Sequence, residues 1–111
     1  MSIYIEIASL LIDIEAELRR LDHWDAEPPS PEALASTEPF CIDTLTFPQW
    51  LQFIFIPRMH TLVRGQQLPP GRCEIEPLAG EYFRDRKLDV ATLQRHLGAL
   101  DQVINRALSQ Y

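Results

Sequence analysis

Two apolar stripes, one near each end of the chain, most restrict what this sequence can fold into. Ile7, Leu11, Ile14, Leu18 and Leu21 recur at alternating spacings of four and three, with Asp13, Glu17 and Arg20 on the intervening faces. Val90, Leu93, Leu97, Leu100, Ile104 and Ala107 repeat the same pattern. This spacing predicts amphipathic helices over 3–22 and 90–109. Glu15 and Arg19 form an i,i+4 pair on the first, and Asp89 is a natural N-cap for the last. Isolated helices of this length are marginal in water, so the two stripes must find apolar partners, and the simplest arrangement packs them against each other.

Between them lies the most apolar stretch, FPQWLQFIFIPRMH from Phe47 to His60. Thr46 and Gln49 fit a capping box and Pro48 falls in the first turn, where a missing N–H costs little, so a helix over 47–64 is predicted. Trp50, Leu51, Phe53, Ile54, Phe55 and Ile56 cover nearly its whole circumference, which makes it a central helix wrapped by neighbours. Pro57 cannot donate to the carbonyl of Phe53 and its ring crowds that turn, so a kink is expected there. Gly65 is a candidate C′ residue. Leu78, Tyr82 and Phe83 predict a shorter helix over 76–86. Residues 22–46, with four prolines, read as a long connection draped over the bundle, its second half pinned in extended form by Phe40, Ile42 and Leu45. The fold expected is all-α: a small four-helix bundle, one domain over 1–111, with a long draped connection between helices 1 and 2 and a Pro-kinked central helix.

Hydrophobic residues make up 46% of the chain and charged residues 23%, the balance of a folded globular protein. The net charge of −6 is unevenly distributed. Residues 1–50 hold ten Asp or Glu and two Arg, whereas residues 51–111 hold six Asp or Glu and eight Lys or Arg. A broad basic face for nucleic acid is therefore disfavoured. A local cluster of Arg64, Arg84, Arg86, Lys87 and Arg95 stays open beside the alternative of an ordinary mixed-charge surface. No apolar run approaches the roughly 20 residues that cross a bilayer, and the first 15 residues lack the basic start of an export signal, so a cytoplasmic protein without membrane contact is expected.

Cys41 and Cys73 form no CxxC pair, and His23, His60 and His96 lack ligand spacing, so neither metal nor cofactor is expected. Glycine-rich phosphate loops, nucleophile elbows and HExxH are absent from the sequence, so enzymatic catalysis is not expected. Asp43, Arg58 and His60 are the polar residues best suited to a site, since an Asp can orient a His and an Arg can bind an anion. On a straight helix, however, Arg58 and His60 point about 200° apart. Asp43 can instead cap a turn or pair with Arg58 to hold the connection on the central helix. Trp24, beside the proline-rich chain, is a candidate partner-facing anchor, and Trp50 a candidate core residue.

The block from Ser36 to His60 resembles the YqcC-like family of small bacterial proteins. The resemblance rests on Thr37 to Phe40, Asp43-Thr44, Trp50-Leu51-Gln52 and Ile56-Pro57-Arg58-Met59, with a turn echoed by Leu68, Pro69, Pro70 and Gly71. It implies an all-α bundle in the bacterial cytoplasm, no established chemistry, and an association with a tRNA pseudouridine synthase. The expected function is that of a non-enzymatic interaction or accessory protein, its partner a protein such as that synthase, with Trp24, Phe40, Asp43, Trp50, Arg58 and His60 as candidate groove residues. The alternatives are a tRNA-binding module using the arginine-rich second half, or a small-ligand site near Asp43, Arg58 and His60. Self-association is left open.

Overall fold

A computed structural model describes residues 2–110, so positions 1 and 111 of the expected domain lie outside the described residues. The architecture is all-α. Helix α1 spans Ile3–Arg20, α2 Pro31–Leu34, α3 residues 47–64, α4 Ile75–Phe83 and α5 Ala91–Leu108. The two predicted stripes face each other: Ile7, Leu11, Ile14 and Leu18 of α1 and Leu93, Leu97, Leu100 and Ile104 of α5 are all buried.

Helix α3 crosses this pair and supplies Trp50, Leu51, Phe55, Ile56 and Met59 to the same core. Its start carries the capping box complete, Thr46 Oγ1 accepting from Gln49 N at 3.2 Å and Gln49 Oε1 from Thr46 N at 2.9 Å. The expected disturbance at Pro57 takes a specific form. Residues Leu51–Phe55 make a π-helical turn, in which the Ile56 N–H bonds to the carbonyl of Leu51, and α-helix resumes over Ile56–Arg64. The widened turn gives room to a ring that has no N–H to donate and would otherwise crowd the turn before it. Gly65 is not the C′ residue: its φ is −88°, and Gln66 takes the left-handed position at φ 51°. Gln66 N then bonds to Val63 O at 3.0 Å and Gln67 N to Leu62 O at 2.8 Å, a Schellman ending one residue later than predicted. Helix α1 closes the same way through Asp22 at φ 62°, a residue type that tolerates this conformation.

Helix α4 begins at Ile75 and ends at Phe83, earlier at both ends than the expected 76–86, and its start is set from outside the segment. The buried carboxylate of Asp101, on α5, accepts from Ile75 N at 3.0 Å and from Glu76 N at 2.9 Å. One turn further along α5, the Asn105 amide accepts from Cys73 N at 2.7 Å and donates to Cys73 O at 2.8 Å. Two side chains on one face of α5 thus fix the entry of the chain into α4. At the other junction Val90 is the N-cap residue of α5, while the Asp89 carboxylate still accepts from Ala91 N at 3.2 Å.

The long connection is more structured than predicted and is not extended. It contains α2 and a 3₁₀ turn at Pro39–Cys41, in which Phe40 and Cys41 have φ of 58° and 50°. Successive left-handed residues reverse the usual alternation, so Cys41 and Leu45 turn inward while Phe40 and Ile42 stay exposed. Only Leu45 of the three predicted pins is buried. The start of the connection is tied down by Gln52, whose buried amide accepts from Asp25 N at 2.8 Å and donates to Asp25 O at 2.9 Å.

Replacing Asp101 by Ala leaves two backbone donors without an acceptor and removes the cap of α4. Urea unfolding of Asp101→Ala is expected to show a loss of roughly 2–3 kcal/mol, and Asp101→Asn, which keeps one acceptor, a smaller loss.

Candidate functional site

The Phe40 turn stands beside a cluster of aromatic rings that joins three elements. Phe40 meets Trp50 edge to face at 5.0 Å between ring centres, and Trp50 lies 5.2 Å from Phe55. Phe47, in the first turn of α3, sits 6.0 Å from Tyr82 and 6.4 Å from Phe83 on α4, which are themselves edge to face at 4.9 Å. Such pairs prefer edge-on or offset geometry and contribute about 0.5–1.5 kcal/mol each beyond burial. They hold the turn and α4 at a set separation.

Between those two walls runs an apolar groove of about 400 Å³, lined by Phe40, Ile42, Leu45 and Phe47 on one side and Leu78 and Tyr82 on the other. Ile42 is 76% exposed and Phe40 44%, a large apolar surface at the rim. Arg86 closes one end, its guanidinium 4.1 Å above the Tyr82 ring and its Nε donating to Tyr82 O at 3.1 Å. Glu81 lines the groove as well and is held by Arg84 at 3.1 Å. The turn itself is locked. Ser36 Oγ donates to Asp43 Oδ1 at 2.6 Å and accepts from Glu38 N at 3.1 Å, and Thr44 Oγ1 donates to Ala33 O at 2.8 Å. An exposed apolar rim on a rigid backbone suits binding a partner's side chains, because little ordering cost remains.

The six residues singled out from sequence fall into three places. Phe40, Trp50 and Arg58 come together in a recess of about 170 Å³ beneath the Leu68 to Gly71 turn, with Cys73 at its edge. Trp24 and His60 line a different hollow of about 410 Å³, where Arg19 lies 4.8 Å over the Trp24 ring. Asp43 belongs to neither: it locks the Phe40 turn through Ser36 and makes no ion pair with Arg58. No common hollow therefore holds Asp43, Arg58 and His60, since the connection carries Asp43 to another side of α3. Of the basic cluster, Arg84 is paired with Glu81 and Asp85, and Arg86 is folded onto Tyr82. Trp50 is buried, as a core residue should be.

Ile42, Leu78 and Tyr82 are groove residues that the sequence pattern does not single out. Their periodicity marks them as apolar, but which apolar residues meet at a surface depends on how α4 is set against the turn. Burial first, and the neighbouring Asp101 carboxylate second, push the Cys73 thiol well above its ordinary range, which leaves it inert at neutral pH. Among the described residues, no three His, Cys, Asp or Glu side chains converge as a metal site, and no helix is long and apolar enough to cross a membrane.

An all-helical bundle with an apolar groove on one edge is the class of protein that these features define. The particular family follows from comparison: a family model described as tRNA pseudouridine synthase C matches residues 6–103, and the chain belongs to this YqcC-like family. An uncharacterized protein of Haemophilus influenzae is 34% identical over 95 residues, covering 86% of this chain and 89% of the relative. YqcC of Escherichia coli is 42% identical over 64 residues, 58% of this chain and 59% of its own. Its solution NMR structure superposes with a TM-score of 0.80 over 94% of this chain and 89% of that one, at 33% identity. A protein of Pectobacterium carotovorum subsp. carotovorum named tRNA pseudouridine synthase C is 43% identical over 65 residues, which are 59% of this chain but 17% of that protein.

Two measurements check this description. Ile42→Ser is expected to leave the unfolding free energy within about 0.5 kcal/mol of the parent, since the side chain is already in water. At neutral pH, Ellman's reagent is expected to label Cys73 only after the chain is unfolded.

Proposed function

We propose that this protein is a non-catalytic accessory module that docks on a tRNA pseudouridine synthase of the C type through the groove at Phe40, Ile42, Phe47 and Tyr82. One observation carries the reading. A stretch 43% identical to this chain occupies 17% of a Pectobacterium polypeptide that bears the synthase name, so more than four-fifths of that polypeptide lies outside the match. Two modules in one chain hold each other at millimolar effective concentration, whereas separate chains need a binding surface of their own. The Phe40 groove supplies one, an aromatic and aliphatic patch of the kind that dominates protein interfaces. The acidic first half suits a cytoplasmic partner whose own surface is basic, as an enzyme working on RNA requires.

A second reading, direct tRNA binding by the basic second half, draws on Arg58, Arg64 and Arg95, which are exposed and make no ion pair among the described residues. Pseudouridine formation by the synthase from the same genome, measured with and without the purified chain, separates the two. Docking predicts a rise in activity that saturates with the chain. Phe40→Ser/Ile42→Ser should weaken the complex about 30-fold, the size of one interface hot spot, while tRNA alone binds neither form at low salt. Unchanged synthase activity and no complex would sink the accessory role, and a steep salt-dependent affinity for tRNA would favour the second reading.

A further inference from the structure

The outward side of α1 has a pattern that neither the core nor the groove uses. Ile5, Ser9, Ile12 and Ala16 fall within about 60° of arc on the helix, on the side away from the buried Ile7, Leu11, Ile14 and Leu18. All four are exposed, Ile5 by 60% and Ile12 by 66%. Helix α1 is thus apolar on two sides, and only one of them is covered by the bundle. Along the length of the stripe, from Ile5 to Ala16, the charges at its edges are negative: Glu6 and Asp13 along one edge and Glu15 along the other. Arg19 and Arg20 continue the same face one turn past Ala16 and are engaged by Glu15 and Glu17 at 3.0 and 2.8 Å.

We propose that this outer face of α1 is a second docking surface, which accepts an amphipathic helix carrying Lys or Arg on the edges of its apolar stripe. The charge pattern selects this occupant. A second copy of α1 laid parallel and in register would set one edge of the stripe against the other and bring Asp13 beside Glu15. An antiparallel copy that matches Ile5 with Ala16 and Ser9 with Ile12 would set like edges together and bring Glu6 beside Asp13. Like charges held together at an apolar seam oppose assembly, whereas basic flanks would meet Glu6 and Asp13, which make no ion pair among the described residues, and would share Glu15 with Arg19. Size leads to the same choice. From Ile5 to Ala16 the stripe is about 17 Å long and covers on the order of 200 Å², well below the ~800 Å² per partner of a stable dimer. It serves as an added contact for a helix presented at high local concentration, and it does not depend on what occupies the Phe40 groove.

The test titrates the full chain, isotope-labelled at isoleucine methyls, with an 18-residue Leu-stripe peptide flanked by Lys, and with the same peptide flanked by Glu. The Lys peptide is expected to shift the Ile5 and Ile12 methyl signals saturably at about millimolar concentration. Its affinity should fall about tenfold on raising salt to roughly 0.5 M, and Ile5→Ser/Ile12→Ser, which keeps the fold, should abolish the shifts. Equal binding of the Glu peptide, or Lys-peptide shifts confined to the Ile42 side, would overturn the proposal. So would Ile5 and Ile12 shifts on concentrating the chain alone, which would assign the face to self-association. Flotation with phosphatidylcholine vesicles that Ile5→Ser/Ile12→Ser abolishes would reassign it to a lipid surface.

Discussion

The Asp101 carboxylate, bonded to the first two N–H groups of α4, is the contact on which the rest of the molecule turns. A buried carboxylate is costly unless its lone pairs are satisfied, and here two oriented backbone donors and the positive end of a helix satisfy them together. Asn105, one turn along, holds the residue that leads into that helix. Helix α5 therefore does more than bury its stripe against α1: it sets where α4 begins and the direction in which it leaves. Leu78, Tyr82 and Phe83 ride on that direction, and with them one wall of the groove and half of the aromatic cluster.

The opposite wall is built by different means. The Phe40 turn has two consecutive residues in the left-handed region, which costs of order 1 kcal/mol or more each for side chains of this kind. Burial of Cys41 and Leu45, the Ser36 to Asp43 bond and the edge-on contact of Phe40 with Trp50 offset that strain. The outcome is an apolar rim whose backbone is already in its final conformation. Gln52 contributes from below by pairing with both backbone groups of Asp25, much as a neighbouring strand would. The π turn at Leu51–Phe55 brings this amide, Trp50 and Phe55 inward from one short segment.

Charge separates the surfaces. The acids concentrate on the half that holds α1 and the connection, and the cations on the half that holds the end of α3, α4 and α5. Several of those cations are occupied locally, by Glu81 and Asp85 for Arg84 and by the Tyr82 ring for Arg86. Arg58, Arg64 and Arg95 in the same half are exposed and make no ion pair among the described residues, and Glu6 and Asp13 on the other half are likewise without an ion-pair partner there.

The helical class, the buried faces of α1 and α5, the capping box at Thr46 and a disturbance at Pro57 were all legible in the residues, because each depends on spacing or on chemistry within one or two turns. The candidate site was legible only in pieces. Phe40, Trp50 and Arg58 do share a recess, but Asp43 turns to Ser36, His60 joins Trp24, and the pattern that marks Ile42 and Tyr82 as apolar does not mark them as groove residues. Periodicity says that a residue is apolar and which side of its helix it occupies. Which apolar residues are left uncovered, and which polar ones meet across 25 or more positions as Asp101 and Glu76 do, was decided by packing, because contacts between elements depend on relative placement that no local pattern encodes.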